Sequence, residues 1–129
     1  MSTIATRVAA LAAATAAAGV LAVGAAGSAS AQQYLGTRLQ PSQNTCVSQY
    51  AGYQFQATGT ATGSGARFKV LYNGQIVRDS YGRVGYFTAE GRSSYGTFPG
   101  PGYYSLCAFN TGSAKTDVTL NLRTDGEVW

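Results

Sequence analysis

The sequence predicts an all-β domain, a small two-sheet sandwich of about seven strands. Three observations predict it. Residues Tyr53 to Thr62 alternate strictly, with Tyr53, Phe55, Ala57, Gly59 and Ala61 on one side and Gln54, Gln56, Thr58, Thr60 and Thr62 on the other. Period two is the mark of a half-buried strand. Asn73-Gly74 separates two runs, Arg67 to Tyr72 and Gln75 to Asp79, and supplies the positive φ angles of a type I′ hairpin turn. The composition agrees: 9 Tyr and 17 Gly in the chain, with Glu, Lys and Leu scarce after Ala31. Tyr and Thr fit pleated strands, and Gly marks turns.

The elements follow in order. Residues 1–31 read as a secretory signal: Arg7 near the start, an uncharged Ala/Val/Leu/Gly run from Val8 to Ala26, then Ala29-Ser30-Ala31 before the cut. A membrane-anchoring helix is the rival reading, but the run is weakly apolar and ends in a cleavage motif. The product is expected outside the cell, free of the membrane after cleavage. Residues 32–45 read as a flexible N-terminal arm, because Gln32 to Asn44 carries few large apolar groups and no sustained period. Residues 46–129 are then the sandwich. After the alternating strand and the hairpin, Tyr86 to Ala89 and Ser94 to Phe98 read as two short strands split by Glu90-Gly91-Arg92. Pro99 to Gly102 is a hard loop, Gly102 to Phe109 a strand, and Thr116 to Leu122 a strand with Val118, Leu120 and Leu122 inward.

Cys46 and Cys107 are the 2 cysteines. In an exported chain this small they are expected to form one disulfide. A metal pair is the alternative, disfavoured because the sequence has 0 histidines. Gly102, Tyr104 and Leu106 resemble the entry to a late central strand of immunoglobulin-like domains. There a tyrosine turns back at a corner and bonds its hydroxyl to the backbone. Antibody domains place that tyrosine two residues before the cysteine. Here Tyr104 lies three before Cys107, so Cys107 faces away from Tyr104 and Leu106. The expected fold is therefore immunoglobulin-like in architecture, with a disulfide from the first strand or its approach to the penultimate strand.

The missing chemistry narrows the function. Without histidine, the usual general base for a Ser or Cys nucleophile is absent. Asp79, Glu90, Asp117, Asp125 and Glu127 show no spacing that forces a glycosidase pair together. The basic residues are dispersed rather than striped, which argues against nucleic acid. No enzyme, cofactor or metal is expected. The positive signals are the tyrosines, which offer rigid contact area, and the arm, whose Tyr34, Leu35, Arg38 and Leu39 are candidate binding residues. Trp129, the one tryptophan, covers a sheet edge or sits in a partner.

The Ala-rich leader, low Lys content and Gly/Thr/Tyr bias resemble small secreted β-sandwich proteins of filamentous actinobacteria, and the size, the leader, the cysteine pair Cys46 and Cys107 and the free arm Gln32 to Asn44 narrow the likeness. Among these the chain looks most like the adaptor subunits of umbrella toxin particles. The resemblance implies a domain that binds the repeat-built stalk of a toxin protein. It implies an arm that enters the cleft of a trypsin-like lectin subunit, with Arg38 in an acid-lined pocket. Deleting Gln32 to Leu39 is then expected to spare folding and abolish one contact. A carbohydrate-binding module with coplanar exposed aromatics is a second reading. A small protease inhibitor presenting Arg38 or Arg92 is a third.

Overall fold

The computed structural model describes residues 32–128; the leader expected at 1–31 and Trp129 lie outside them. Eight strands form: β1 (Gln32–Leu39), β2 (Asn44–Ala51), β3 (Gln54–Ala61), β4 (Arg67–Tyr72), β5 (Gln75–Asp79), β6 (Tyr86–Arg92), β7 (Gly102–Phe109) and β8 (Thr116–Thr124). They build two four-stranded sheets. The first has the order β1-β8-β3-β6 and the second β2-β7-β4-β5, with every pairing antiparallel. The sandwich thus has eight strands rather than about seven.

Alternation decides what meets between the sheets. From the first sheet come Phe55, Ala57, Val118, Leu120 and Leu122; from the second come Phe68, Val70, Tyr104, Leu106 and Ala108. All are buried, and a large apolar side chain so placed contributes about 1.5–3 kcal/mol. The hairpin forms as the sequence requires: Tyr72 pairs with Gln75, and Asn73 and Gly74 have φ of 52° and 78°. Tyr104 is the hub of the core. Its ring stacks on Phe55 at 4.7 Å, Tyr72 at 4.8 Å and Phe98 at 5.6 Å between centroids. Its hydroxyl donates to the Gly100 carbonyl at 2.7 Å, the expected corner bond. The Tyr72 hydroxyl donates to Pro101 O at 2.9 Å, so two phenols hold the Pro99 to Gly102 loop.

The disulfide joins Cys46 to Cys107 across the neighbouring strands β2 and β7, with Cα atoms 4.0 Å apart. It lies within the second sheet, on the face away from Tyr104 and Leu106, whereas antibody domains bridge their two sheets. The link spans 61 residues of sequence, which corresponds to about 4 kcal/mol of unfolded-state loop entropy.

Two expectations are corrected. The segment Gln32 to Leu39 is no flexible arm. It is the edge strand β1, in register with β8 from Gln32↔Arg123 to Leu39↔Thr116. Leu39 is buried in the core and Leu35 packs against it. An edge strand needs few apolar groups, because the ladder holds its backbone and only one face is covered. The segment Ser94 to Phe98 is not a strand either. β6 runs on through Glu90-Gly91-Arg92, and a 3-10 turn follows at Ser93–Tyr95. Gly91 is a packing gap: a Cβ there would come within 2.5 Å of the Phe55 ring. The reversal sits later, at Gly96, whose φ is 73°.

Two polar locks close the ends of the sandwich. The buried Asn110 side chain donates to Leu39 O (3.0 Å) and Ala114 O (2.8 Å) and accepts from Gly112 N (3.0 Å). It ties the β1–β2 turn to the β7–β8 turn. At the other end the Asp125 carboxylate accepts the backbone N–H groups of Gly52 and Tyr53, each at 2.9 Å by Oδ1.

Candidate functional site

The outward face of the second sheet carries apolar side chains that no part of the described chain covers. Register fixes the arrangement. Ser48, Ser105, Leu71 and Ile76 form one row across β2, β7, β4 and β5. Tyr50 and Tyr103 form the next row at the Gly102 end. Leu71 points outward because Val70 and Tyr72, its neighbours, turn to the core. Ile76 is 51% exposed and Tyr103 67%. The Tyr50 and Tyr103 rings meet edge to face, 5.5 Å apart at 76°. The Ser48 and Ser105 hydroxyls hydrogen-bond at 2.7 Å.

The other half of this face is charged and braced. The Cys46–Cys107 disulfide forms the row beside Ser48 and Ser105. Lys69 Nζ stands 4.7 Å from the Phe109 ring centre. Arg67 grips Asp79 with two bonds, Nε–Oδ1 at 3.0 Å and Nη2–Oδ2 at 2.7 Å. That fork holds the Asp79 carboxyl below the ordinary carboxylate range, against the opposing effect of its burial. Asp79 Oδ1 also accepts Tyr81 N at 2.8 Å, and Tyr81 projects from this turn at φ 64° and 84% exposure. The result is an apolar patch of two tyrosines, a leucine and an isoleucine on a rigid sheet, rimmed by serines and paired charges. Such a centre-and-rim pattern is the anatomy of a protein interface.

The four residues singled out by sequence divide between inside and outside. Tyr34 and Arg38 face solvent from β1, while Leu35 and Leu39 face the core. The Arg38 guanidinium is committed to its register partner Asp117, at 2.8 Å (Nε–Oδ1) and 3.4 Å (Nη2–Oδ2). Each raises the charge preference of the other: Asp117 is held below the usual range and Arg38 above its own. Leu71 and Ile76 were not anticipated. Their signal is faint, since adjacent apolar residues such as Leu71-Tyr72 or Ile76-Val77 do not say which member turns outward.

Four of the carboxylates are engaged in the scaffold. Asp79 pairs with Arg67, Asp117 with Arg38 and Glu90 with Arg92 at 3.5 Å, while Asp125 caps backbone N–H groups. Among the described residues no group of three or more acidic or cysteine side chains gathers as a metal site.

No protein-family model matches the chain, and no curated protein matches it. Among solved structures the chain is similar to PliG of Aeromonas hydrophila, a periplasmic lysozyme inhibitor of g-type lysozyme. The TM-score is 0.53 at 16% sequence identity, covering 78% of this chain and 91% of that chain. The likeness is one of fold.

Proposed function

We propose that this chain is an exported, non-catalytic protein-binding domain whose docking surface is the outward face of the second sheet. The observation that carries the reading is the exposed patch of Tyr50, Tyr103 and Ile76 together with the half-buried Leu71. A rigid sheet spends little entropy on ordering when it binds. Tyrosine supplies contact area with few rotatable bonds. The engaged carboxylates support a role without turnover, and the disulfide supports an oxidising compartment. The fold shared with a periplasmic inhibitor supports an extracytoplasmic protein that acts by binding another protein.

The finer role is that of a bridge in a secreted toxin particle, as the umbrella-type resemblance implies. In that role the second sheet holds the stalk protein. β1 offers its free edge to a lectin-type subunit, in the manner of strand addition. Arg38 reaches an acid-lined pocket only by leaving Asp117. The test is affinity capture from culture medium with mass spectrometry, run with wild type, Tyr103→Ala/Ile76→Ser and Arg38→Ala. Wild type retains two partners, the double variant loses one, and Arg38→Ala loses the other. Identical capture by all three proteins overturns the reading.

A further inference from the structure

We propose that the outward face of the first sheet binds a flat, neutral, β-1,4-linked glycan, independently of the protein-binding patch on the second sheet. Register places four polar rows on this face. Gln32, Arg123, Gln56 and Glu90 form one row; Tyr34, Asn121, Thr58 and Thr88 form the second; Gly36, Thr119, Thr60 and Tyr86 form the third; Arg38 and Asp117 begin the fourth. No aliphatic side chain points outward at these positions. The aliphatic and phenylalanine side chains of these strands, Leu39, Phe55, Val118 and Leu120 among them, turn inward. A protein hot spot needs an apolar centre, and this centre is Thr, Asn and Gln.

The two rings on the face sit at its opposite edges. Tyr34 lies on β1 and Tyr86 on β6, exposed by 64% and 63%. Three strand spacings, about 14 Å across the sheet, and one row along the strands separate them. Tyr34 lies along its own strand. A Cβ on Gly36 would be 3.9 Å from the Tyr34 hydroxyl and 3.9 Å from Thr119 Cγ2, so the ring rests over the space that Gly36 leaves open. A ring that lies along the strand and is 64% exposed leaves ring surface open for stacking against the C–H face of a sugar. Between the rings the floor offers hydroxyls and amides. The Thr60 hydroxyl is bonded to that of Thr119, and Gln32 Nε2 donates to Asn121 Oδ1 at 3.1 Å. Thr58 and Thr88, opposite one another, make no hydrogen bond to the described residues through their hydroxyls.

Charge and shape narrow the ligand. Arg38 stands on Asp117 and Arg92 by Glu90, and Arg123 shares its row with Glu90, so a polyanion finds no stripe of cations. The surface is a four-strand expanse rather than a cleft, which fits an extended ribbon better than a single sugar. β-1,4 linkage makes such a ribbon, with alternating C–H faces and equatorial hydroxyls. α-1,4 linkage coils the chain away from a flat support.

The test uses calorimetric titration of the purified secreted protein with cellohexaose and chitohexaose, and with maltohexaose as the coiled control. Wild type is expected to bind one of the first two and not the third. Tyr34→Ala and Tyr86→Ala each weaken binding about tenfold, and Thr58→Val/Thr88→Val weakens it without touching a ring. Tyr103→Ala leaves it unchanged. The thermal midpoint of each variant confirms folding. No binding by wild type, equal binding of maltohexaose, or full binding by both tyrosine variants overturns the proposal. Loss of protein capture in the second-sheet variant is a separate result, so either reading can fail alone.

Discussion

Asn110 is the most informative residue to change, because one side chain there satisfies three backbone groups in the interior. Asn110→Ala deletes two donated bonds and one accepted bond. At about 1 kcal/mol net for each, the loss is about 3 kcal/mol. For a domain of this size that lowers Tm by about 12–24 °C. Asn110→Asp keeps the shape and inverts the chemistry. An acceptor oxygen replaces the amide nitrogen and faces the carbonyls of Leu39 and Ala114. At pH 7 this variant should be less stable than Asn110→Ala, since it adds a buried charge against two acceptors. Burial pushes the introduced carboxyl above its ordinary range. Its contribution is then fully present below the unfolded pKa and lost as pH rises, so the aspartate variant recovers toward acid pH relative to the alanine one. Urea unfolding followed by far-UV circular dichroism, at pH 7 and again near pH 4, reads both effects. An alanine variant that loses under about 1 kcal/mol refutes the reasoning. So does an aspartate variant as stable as the parent at pH 7.

The remaining predictions concern the hub, the ion pair and the edge. Tyr104→Phe removes the bond to Gly100 O and should lose about 1 kcal/mol at neutral pH. Burial pushes the Tyr104 phenol up to about 12. Its neutral form therefore stabilises the fold fully below pH about 10 and progressively less toward 12. Wild type should lose stability over that window relative to the phenylalanine variant; parallel curves in alkaline urea titrations would contradict this. Asp79 is held below the usual carboxylate range by Arg67, so its contribution is present above its unfolded pKa and lost as pH falls. Asp79→Asn should flatten the acid limb of stability against pH, and an unchanged limb would count against the ion pair. Deleting Gln32 to Leu39 removes the 8 residues that pair with β8, together with the buried Leu39. The truncated protein should lose its cooperative thermal transition. A sharp, unshifted transition would show β1 to be dispensable.

The sequence by itself determined the elements whose cause is local or periodic. The type I′ hairpin at Asn73-Gly74 follows from two residues that tolerate positive φ. The inward faces of β3 and β8 follow from alternation. The corner bond of Tyr104 follows from a spaced Gly-x-Tyr-x-Leu motif, and the disulfide from a sequence with just two cysteines. Tertiary structure alone decided the rest. β1 is a strand because β8 offers it a ladder and the core accepts Leu35 and Leu39, and neither condition is written within Gln32 to Leu39. Gly91 reads as a turn in isolation and is a gap for the Phe55 ring in the fold. Arg38 reads as a free cation until register sets it opposite Asp117. The two outward faces are the clearest instance. Tyr50, Leu71, Ile76 and Tyr103 come from four strands, as do Tyr34, Thr58, Tyr86 and Asn121. A surface assembled across strands depends on pairing between distant segments, and local propensity does not encode that pairing.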